Sequence, residues 1–238
     1  MEILKLEQIK KLQNYDTPTV ANAIEMFNVR SRIEGFMNSN IKCLLPARKP
    51  MVGYAGTAKM SALKPLSEEK EGIIYEYYRH IKDTFSPTIS VIEDIDPSPV
   101  GSFWGEVHAS IHKTLGCIGT ITNGGVRDLE DVKKIDFGYL ASSVLVSHGY
   151  DHIEEYDCPV EVGGLTIETG DLLHADIHGV VKIPHKIAPD LVKACEQVVK
   201  AEEIIIKPCQ KRFKDGMKVE KIKKLREKMI EERSSLDF

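Results

Sequence analysis

The sequence predicts an α/β fold with an added carboxyl-terminal helix. Three observations support this prediction: a strand–helix–strand pattern over residues 117–146, short strands separated by turns over residues 159–183, and a charged helical segment over residues 216–233. A β-α-β unit places two parallel strands beside a covering helix, and the later strands add a β-rich layer.

Composition limits the classes of protein to which the chain can belong. Of its 238 residues, 42% are hydrophobic and 29% are charged, which is typical of a globular protein with a real core. The net charge of −4 argues against a nucleic-acid partner, because such a partner requires clustered Lys and Arg. The chain has no apolar run near the roughly 20 residues of a membrane span and no signal-peptide core at its start. We therefore expect a cytoplasmic protein with no membrane partner.

The first half of the chain contains predicted helices and strands in alternation. Asp16 and Pro18 begin a short helix, because a side-chain acceptor and a proline precede an apolar face. The run 50–60 is predicted to be a strand whose glycines allow close packing. A helix is expected over residues 67–82, and the β-branched run 88–93 predicts the next strand.

The middle of the chain contains the β-α-β pattern. Val107, Ile111 and Leu115 recur every four residues, which predicts a helix over residues 105–115 that Gly116 ends in a left-handed conformation. A buried strand is predicted at residues 117–122, followed by a tight glycine turn at 123–125. A short helix at 126–134 and a second strand at 137–146 complete the unit.

The last third begins with short strands and ends with helices. The predicted strands cover residues 159–162, 165–167, 172–175 and 180–183. An amphipathic helix over residues 189–206 is predicted to stop at Pro208. The final charged helix carries Ile222, Leu225 and Met229 at heptad-like spacing, which favours self-association.

Glu106 and the pair Arg127-Asp128 each lie at the start of a predicted helix. Helix starts that follow parallel strands converge on one crevice, so these residues are expected to share a site. The first-turn amides of Val107 and His108 suit a carboxylate, and Arg127 could bind the same ligand through two hydrogen bonds. This combination predicts a small 2-oxo acid as ligand.

The same two acids predict a divalent metal. Carboxylate oxygens from Asp128 and Glu106 suit Mg²⁺ or Mn²⁺, which prefer oxygen ligands. Such an ion would polarise a keto oxygen and, with Arg127, stabilise the enolate left by carbon–carbon cleavage. The structural alternative is that acids at helix starts complement only the helix dipole.

Two motifs resemble a known family. They are Gly105-Glu106-Val-His108 and Gly124-Gly125-Val-Arg127-Asp128, at this separation. Together with further similarity along most of residues 13–206, they resemble the family of 4-hydroxy-4-methyl-2-oxoglutarate aldolases and regulator of ribonuclease activity A-like (RraA-like) proteins. The resemblance implies a swivelling β/β/α sandwich at residues 1–208, with residues 209–238 as a charged helical extension.

The resemblance also implies an activity and an assembly. It implies a class II pyruvate aldolase that cleaves a 4-hydroxy-2-oxo diacid such as 4-hydroxy-4-methyl-2-oxoglutarate, with oxaloacetate decarboxylation as a related activity. The expected assembly is a homotrimer or homohexamer with a Mg²⁺-dependent site at the subunit boundary. The alternative, from a different class, is a non-catalytic protein-binding regulator resembling the ribonuclease regulators.

The resemblance further implies roles for single residues. Asp128 would bind the metal directly and Glu106 through a water, while Arg127 would bind the oxo acid. The backbone around Gly105, Val107 and His108 would hold its carboxylate. Either Glu202 or Glu203 of a neighbouring subunit would complete the site. Two departures, His108 in place of an aliphatic residue and Asn22 in place of an aspartate, leave the identity of the substrate open.

Overall fold

The computed structural model describes residues 3–236. The chain separates into a central unit, Gly35–Pro184, and a terminal unit made of the residues up to Glu34 and those from His185 onward. The helices are α1 Leu6–Leu12, α2 Thr17–Glu25, α3 Ile73–Asp83, α4 Glu106–Thr114, α5 Leu129–Lys134, α6 Leu191–Gln210 and α7 Val219–Arg233. The strands are β1 Lys42–Leu45, β2 Met51–Ser61, β3 Thr88–Asp94, β4 Cys117–Val126, β5 Gly138–Val144, β6 His152–Tyr156, β7 Val160–Val162, β8 Leu165–Ile167, β9 Leu172–Asp176 and β10 Gly179–Ile183.

A mixed sheet forms the middle layer of the central unit. Its strand order is β1-β5-β4-β3-β2-β9-β10, and β6 also pairs with β2. Strands β2, β3, β4 and β5 run parallel to one another, whereas β1, β6, β9 and β10 pair antiparallel to their neighbours. The carboxyl ends of the four parallel strands therefore lie along one edge of the sheet.

Each face of the sheet has its own hydrophobic core. On β5, Tyr139 and Ala141 belong to one core and Leu140 to the other, as the period-two alternation of a strand requires. The first core includes residues of α3, α4 and α5, such as Tyr77, and the second includes residues of the β7–β8 hairpin, such as Val160. The layers are thus helices, sheet and hairpin, and the predicted α/β sandwich is confirmed.

The terminal unit is helical. Asp16 caps α2 by accepting a hydrogen bond from the amide of Thr19 at 2.8 Å, as its sequence position predicts. Helix α7 packs against α6, where Lys200 pairs with Glu232 at 2.6 Å. The predicted extra carboxyl-terminal helix is therefore present. The division of the chain at residue 208 stays a prediction.

The predicted tight turn at residues 123–125 is wrong, because β4 continues through it to Val126. The Asn123 side chain replaces a backbone partner: its Oδ1 accepts from the amide of Asp94 at 2.7 Å and its Nδ2 donates to the carbonyl of Asp94 at 2.8 Å. The strand is irregular between Thr122 and Gly125, but it remains paired. A methyl group on Gly125 would lie 2.4 Å from Leu145, so this glycine allows close packing.

Other boundaries also differ from the sequence prediction. The helix expected over residues 67–82 divides at Gly72, whose φ of 91° separates a short 3₁₀ turn from α3. Helix α6 continues past Pro208 to Gln210, so the proline lies in its last turn rather than beyond it. Strands β1 and β6 were not predicted, because β1 is short and the sequence of β6, HIEEY, lacks apolar alternation.

Candidate active site

The start of α4 lies against the end of β4. The backbone of Trp104 forms an isolated parallel bridge with Val126, and the amide of Arg127 donates to the carbonyl of Trp104 at 2.8 Å. These bonds fix the segment before α4 beside the segment after β4. The predicted convergence of the two helix starts is therefore present in the structure.

One hydrogen bond joins the two predicted motifs directly. The backbone amide of Glu106 donates to Oδ2 of Asp128 at 2.9 Å. Asp128 precedes α5 with a φ of 58°, a left-handed conformation that Asp and Asn tolerate better than most residues. A methyl group on Gly105 would lie only 2.6 Å from the same oxygen and 3.0 Å from Nε of Arg127. Glycine at position 105 thus makes this contact possible.

Arg127 is available for a ligand. Its Nε lies 3.9 Å from Oδ2 of Asp128, beyond hydrogen-bond distance. Within residues 3–236, this buried nitrogen has no hydrogen-bond partner. The side chain as a whole is 35% exposed. A guanidinium that is partly unpaired and still reachable can bind an incoming carboxylate.

The start of α4 presents backbone donors beside Arg127. The first amide bonded along the helix is that of Ala109, which donates to the carbonyl of Gly105 at 3.0 Å. The amides of Val107 and His108 precede it in the first turn, where helix donors are open to a ligand. The Val107 side chain is 70% exposed, so it does not cover this end of the helix.

His108 is held in one orientation. Its ring stacks on Phe103 with centroids 4.1 Å apart, and its Nδ1 lies 3.1 Å from the hydroxyl of Tyr78. Nε2 faces a carboxylate oxygen of Asp151 at 3.8 Å. Burial, aided by the positive charge of Arg127, lowers the pKa of His108 to about 4 despite the nearby carboxylate. The imidazole is therefore neutral at neutral pH, which disfavours it as an acid–base group there.

The donor set at the site fits a hard divalent cation. Mg²⁺ is commonly bound by one or two carboxylates and several waters. Asp128 supplies a carboxylate that is 38% exposed and whose Oδ2 accepts from the Glu106 amide, and the exposed Glu106 is a second carboxylate. Across the described residues, no group of three or more His, Cys, Asp or Glu side chains is placed to hold a metal. Asp128 and Glu106 are therefore the carboxylates that this chain brings to the crevice for a metal.

Comparison with known proteins places the chain in a family. Residues 17–182 match the family described as "RraA-like: Aldolase/RraA". The chain belongs to this RraA-like family. The family resemblance stated from the two motifs is therefore confirmed, and the family includes both aldolases and RraA regulators.

Relatives of this RraA-like protein carry diverse names. Protein DlpA of Legionella pneumophila is 24% identical over 201 residues, which are 83% of this chain but only 31% of DlpA, so the chain spans about a third of that relative. A protein of Halalkalibacterium halodurans named "Putative 4-hydroxy-4-methyl-2-oxoglutarate aldolase" is 23% identical over 186 residues, 77% of this chain and 80% of the relative.

Solved structures confirm the fold. RraAS2 of Streptomyces coelicolor, described as an unusual member of the RNase ES inhibitor RraA protein family, superposes with a TM-score of 0.67 at 19% identity. The match covers 85% of this chain and 97% of RraAS2. The predicted RraA-like sandwich is thereby confirmed. Within residues 3–236, no helix is both long and apolar enough to cross a membrane.

Sequence reasoning did not single out two further titratable residues that lie next to His108 or its neighbours. Asp151 and His148 follow β5, and their side chains form a pair in which His148 Nδ1 lies 3.1 Å from a carboxylate oxygen of Asp151. The rule that located Arg127, namely that residues after parallel strands converge, applies equally to the segment after β5. The available signal was His148-Gly149-Tyr150-Asp151, which follows a correctly predicted strand.

Proposed function

We propose that this RraA-like protein is a divalent-metal-dependent lyase that cleaves a 4-hydroxy-2-oxo diacid to pyruvate, with oxaloacetate decarboxylation as a related activity. The observation that supports this most directly is the bond from the Glu106 amide to Asp128, because it brings the acidic pair and Arg127 into one crevice. A regulator that acts only through its surface does not require this arrangement.

The proposed roles follow from the contacts. Asp128 would hold Mg²⁺ or Mn²⁺ directly, and Glu106 would hold it through water. When bound, the ion draws electron density from the keto oxygen of the substrate. Arg127 binds the 2-oxo acid in bidentate fashion, and the amides of Val107 and His108 bind its carboxylate. The negative charge that develops on the enolate then lies beside the Arg127 guanidinium, which stabilises it more than the uncharged ketone.

A neighbouring copy of the chain is proposed to complete the site with a glutamate. In the terminal unit, Asn22 Nδ2 donates to Glu202 Oε1 at 3.3 Å, whereas Glu203 pairs with Lys207. Glu202 is thus positioned by a neutral amide and keeps its charge available for another cation. We therefore propose Glu202, rather than Glu203, as the contributed residue in a homotrimer or homohexamer.

Two substitutions test the proposal, because they remove different functions. Asp128→Asn keeps the left-handed backbone conformation that Asn accepts but removes a charged metal ligand, so Mn²⁺ binding and turnover should both be lost. Arg127→Lys should bind Mn²⁺ normally but lose about 2–4 kcal/mol of transition-state stabilisation, because Lys cannot replace a bidentate guanidinium.

Mn²⁺ binding is measured by its electron paramagnetic resonance signal, and turnover by coupled detection of pyruvate. Asp136→Asn is a matched control, since Asp136 also has a left-handed φ, of 54°, and lies after α5. Normal Mn²⁺ binding and normal turnover in Asp128→Asn would contradict the proposed site and favour the regulator.

A further inference from the structure

Asp151 is a largely buried carboxylate surrounded by groups that carry or exchange protons. Its side chain is only 15% exposed. His148 Nδ1 lies 3.1 Å from one oxygen, and His108 Nε2 lies 3.8 Å from the other. Arg127 also acts on it, since the guanidinium opposes the rise in the Asp151 pKa that burial causes. His108 belongs to the first turn of α4, whose start is bonded to Asp128, so Asp151 lies beside the crevice described above.

The two histidines around Asp151 differ in their access to water. The His148 side chain is 60% exposed, whereas His108 is 24% exposed and stacks on Phe103. A buried carboxylate bonded to an exposed imidazole provides a route for a proton between the crevice and solvent. His108 is mostly buried and is held by Tyr78 and Phe103, so it does not provide that route.

We propose that Asp151 is the general base of the lyase, taking the proton of the substrate 4-hydroxyl, and that His148 exchanges this proton with solvent. The inference rests on the function proposed above and adds a residue to it. This role applies to those proposed substrates that carry a hydroxyl at C4, because only they have a hydroxyl proton that must be removed before the C3–C4 bond breaks.

The proposed step balances without an external reagent. Asp151 removes the hydroxyl proton, the O–H electron pair becomes the second bond of a C4 carbonyl, and the C3–C4 bond breaks. Its electron pair forms the C2–C3 double bond of the pyruvate enolate while the π pair of the C2 carbonyl moves onto the keto oxygen, whose negative charge is placed towards Arg127. C3 then takes one proton, returned by Asp151 or supplied from solvent through His148, and pyruvate leaves together with the new carbonyl compound.

Two reactions that both yield pyruvate distinguish this role. Cleavage of a 4-hydroxy-2-oxo acid needs a base for the hydroxyl, whereas oxaloacetate loses CO₂ from an ionised carboxylate and needs none. Asp151→Asn should therefore lower the ratio of aldol cleavage to decarboxylation by about 100-fold or more, a typical effect of removing a general base. Asp151→Glu, which keeps the carboxylate, should restore part of the ratio.

The pH profile provides a second readout. Cleavage by the parent should fall on the acidic side as Asp151 becomes protonated, and this limb should be absent in Asp151→Asn. The charged and titratable groups that act on Asp151 are His148, His108, Arg127 and Tyr78. His148→Gln, at an exposed position, should slow cleavage several-fold, and added imidazole should restore it.

Asp157→Asn is the matched control, since Asp157 also faces a histidine, His80 at 3.9 Å, but follows β6. It should leave the ratio unchanged. An equal loss of both reactions in Asp151→Asn, or an unchanged ratio, would overturn the proposal, as would a His148→Gln enzyme indifferent to imidazole. A parent protein that releases pyruvate from neither substrate would instead refute the lyase function itself.

Discussion

Single residues determine the chemistry of the crevice through burial as much as through charge. Phe103 and Tyr78 hold the His108 ring in place, and Asp151 is held largely out of solvent beside His108. The family resemblance marked His108 as a departure, but its pKa is lowered by burial and by the charge of Arg127, which only the fold brings about. The sequence predicts which residues lie at a helix start, but it does not predict the protonation state of those residues in the fold.

His112 should make stability depend on pH. It is fully buried, with Nδ1 2.7 Å from the carbonyl of His108 and Nε2 3.1 Å from the hydroxyl of Tyr77, and burial lowers its pKa to about 3. The pKa of His112 in the folded state lies below its unfolded value of about 6.5. The contribution of the neutral imidazole to the free energy of unfolding is therefore complete above pH 6.5 and is lost as the pH falls towards 3.

Between pH 7 and pH 5 the parent should lose on the order of 2 kcal/mol of unfolding free energy through this histidine. The His112→Gln variant has a glutamine that does not titrate, so its free energy of unfolding should fall correspondingly less between pH 7 and pH 5. Urea denaturation at the two pH values measures the difference. Identical losses in the two proteins would show that His112 does not carry this pH dependence.

At the level of elements, the β4–α5–β5 unit was predictable and its details were not. Buried apolar runs and a following helix indicate a parallel pair whatever the loop geometry, and β4 and β5 are parallel as predicted. Asn123-Gly124-Gly125 has the composition of a turn, but the Asn123 side chain pairs with the backbone of Asp94, 29 positions earlier. A bond between positions so distant in sequence leaves no local pattern. Asp151 is a different case, because it follows a predicted strand and its pair with His148 is local.

The junction between the starts of α4 and α5 should tolerate no side chain at position 105. In Gly105→Ala the new methyl group would meet Asp128 Oδ2 at 2.6 Å and displace it from the Glu106 amide. A displacement of about 1 Å can lower activity by about 100-fold, so pyruvate release should fall to that extent while circular dichroism stays unchanged.

Gly179→Ala is the control, because it strains a positive φ but meets no atom within 4 Å. The Gly179→Ala variant should have a lower free energy of unfolding but no comparable loss of turnover. Full activity of Gly105→Ala would mean that the contact between Glu106 and Asp128 is not needed for function.

For the whole molecule, the predicted trimer or hexamer has a candidate surface beside the site. Several exposed apolar side chains follow or flank the carboxyl ends of the parallel strands: Leu63, Ile95, Val100, Val107, Val146 and Tyr150. Val146 is 94% exposed, which for an isolated chain leaves a large apolar side chain in water. The heptad-spaced residues Ile222, Leu225 and Met229 are only half-buried within the chain.

We expect sedimentation at micromolar concentration to show a trimer or hexamer. Val146→Glu should shift it towards smaller species by placing a charge in an apolar contact, and deletion of residues 216–238 should weaken it if α7 packs between subunits. Glu231→Gln, on the exposed side of α7, is a control that should leave the assembly intact. A parent protein that is only monomeric would exclude a site completed by Glu202 of a second copy.

The central claim is that the residues around Asp128 use a divalent ion to release pyruvate from a 2-oxo acid. The most direct test is pyruvate release by the purified protein from oxaloacetate and from a 4-hydroxy-2-oxo diacid. Chelation should abolish release, added Mg²⁺ or Mn²⁺ should restore it, and oxalate should inhibit it, because oxalate mimics the planar enolate. Release that persists at the same rate after chelation, or no release with either substrate and either metal, would contradict the account.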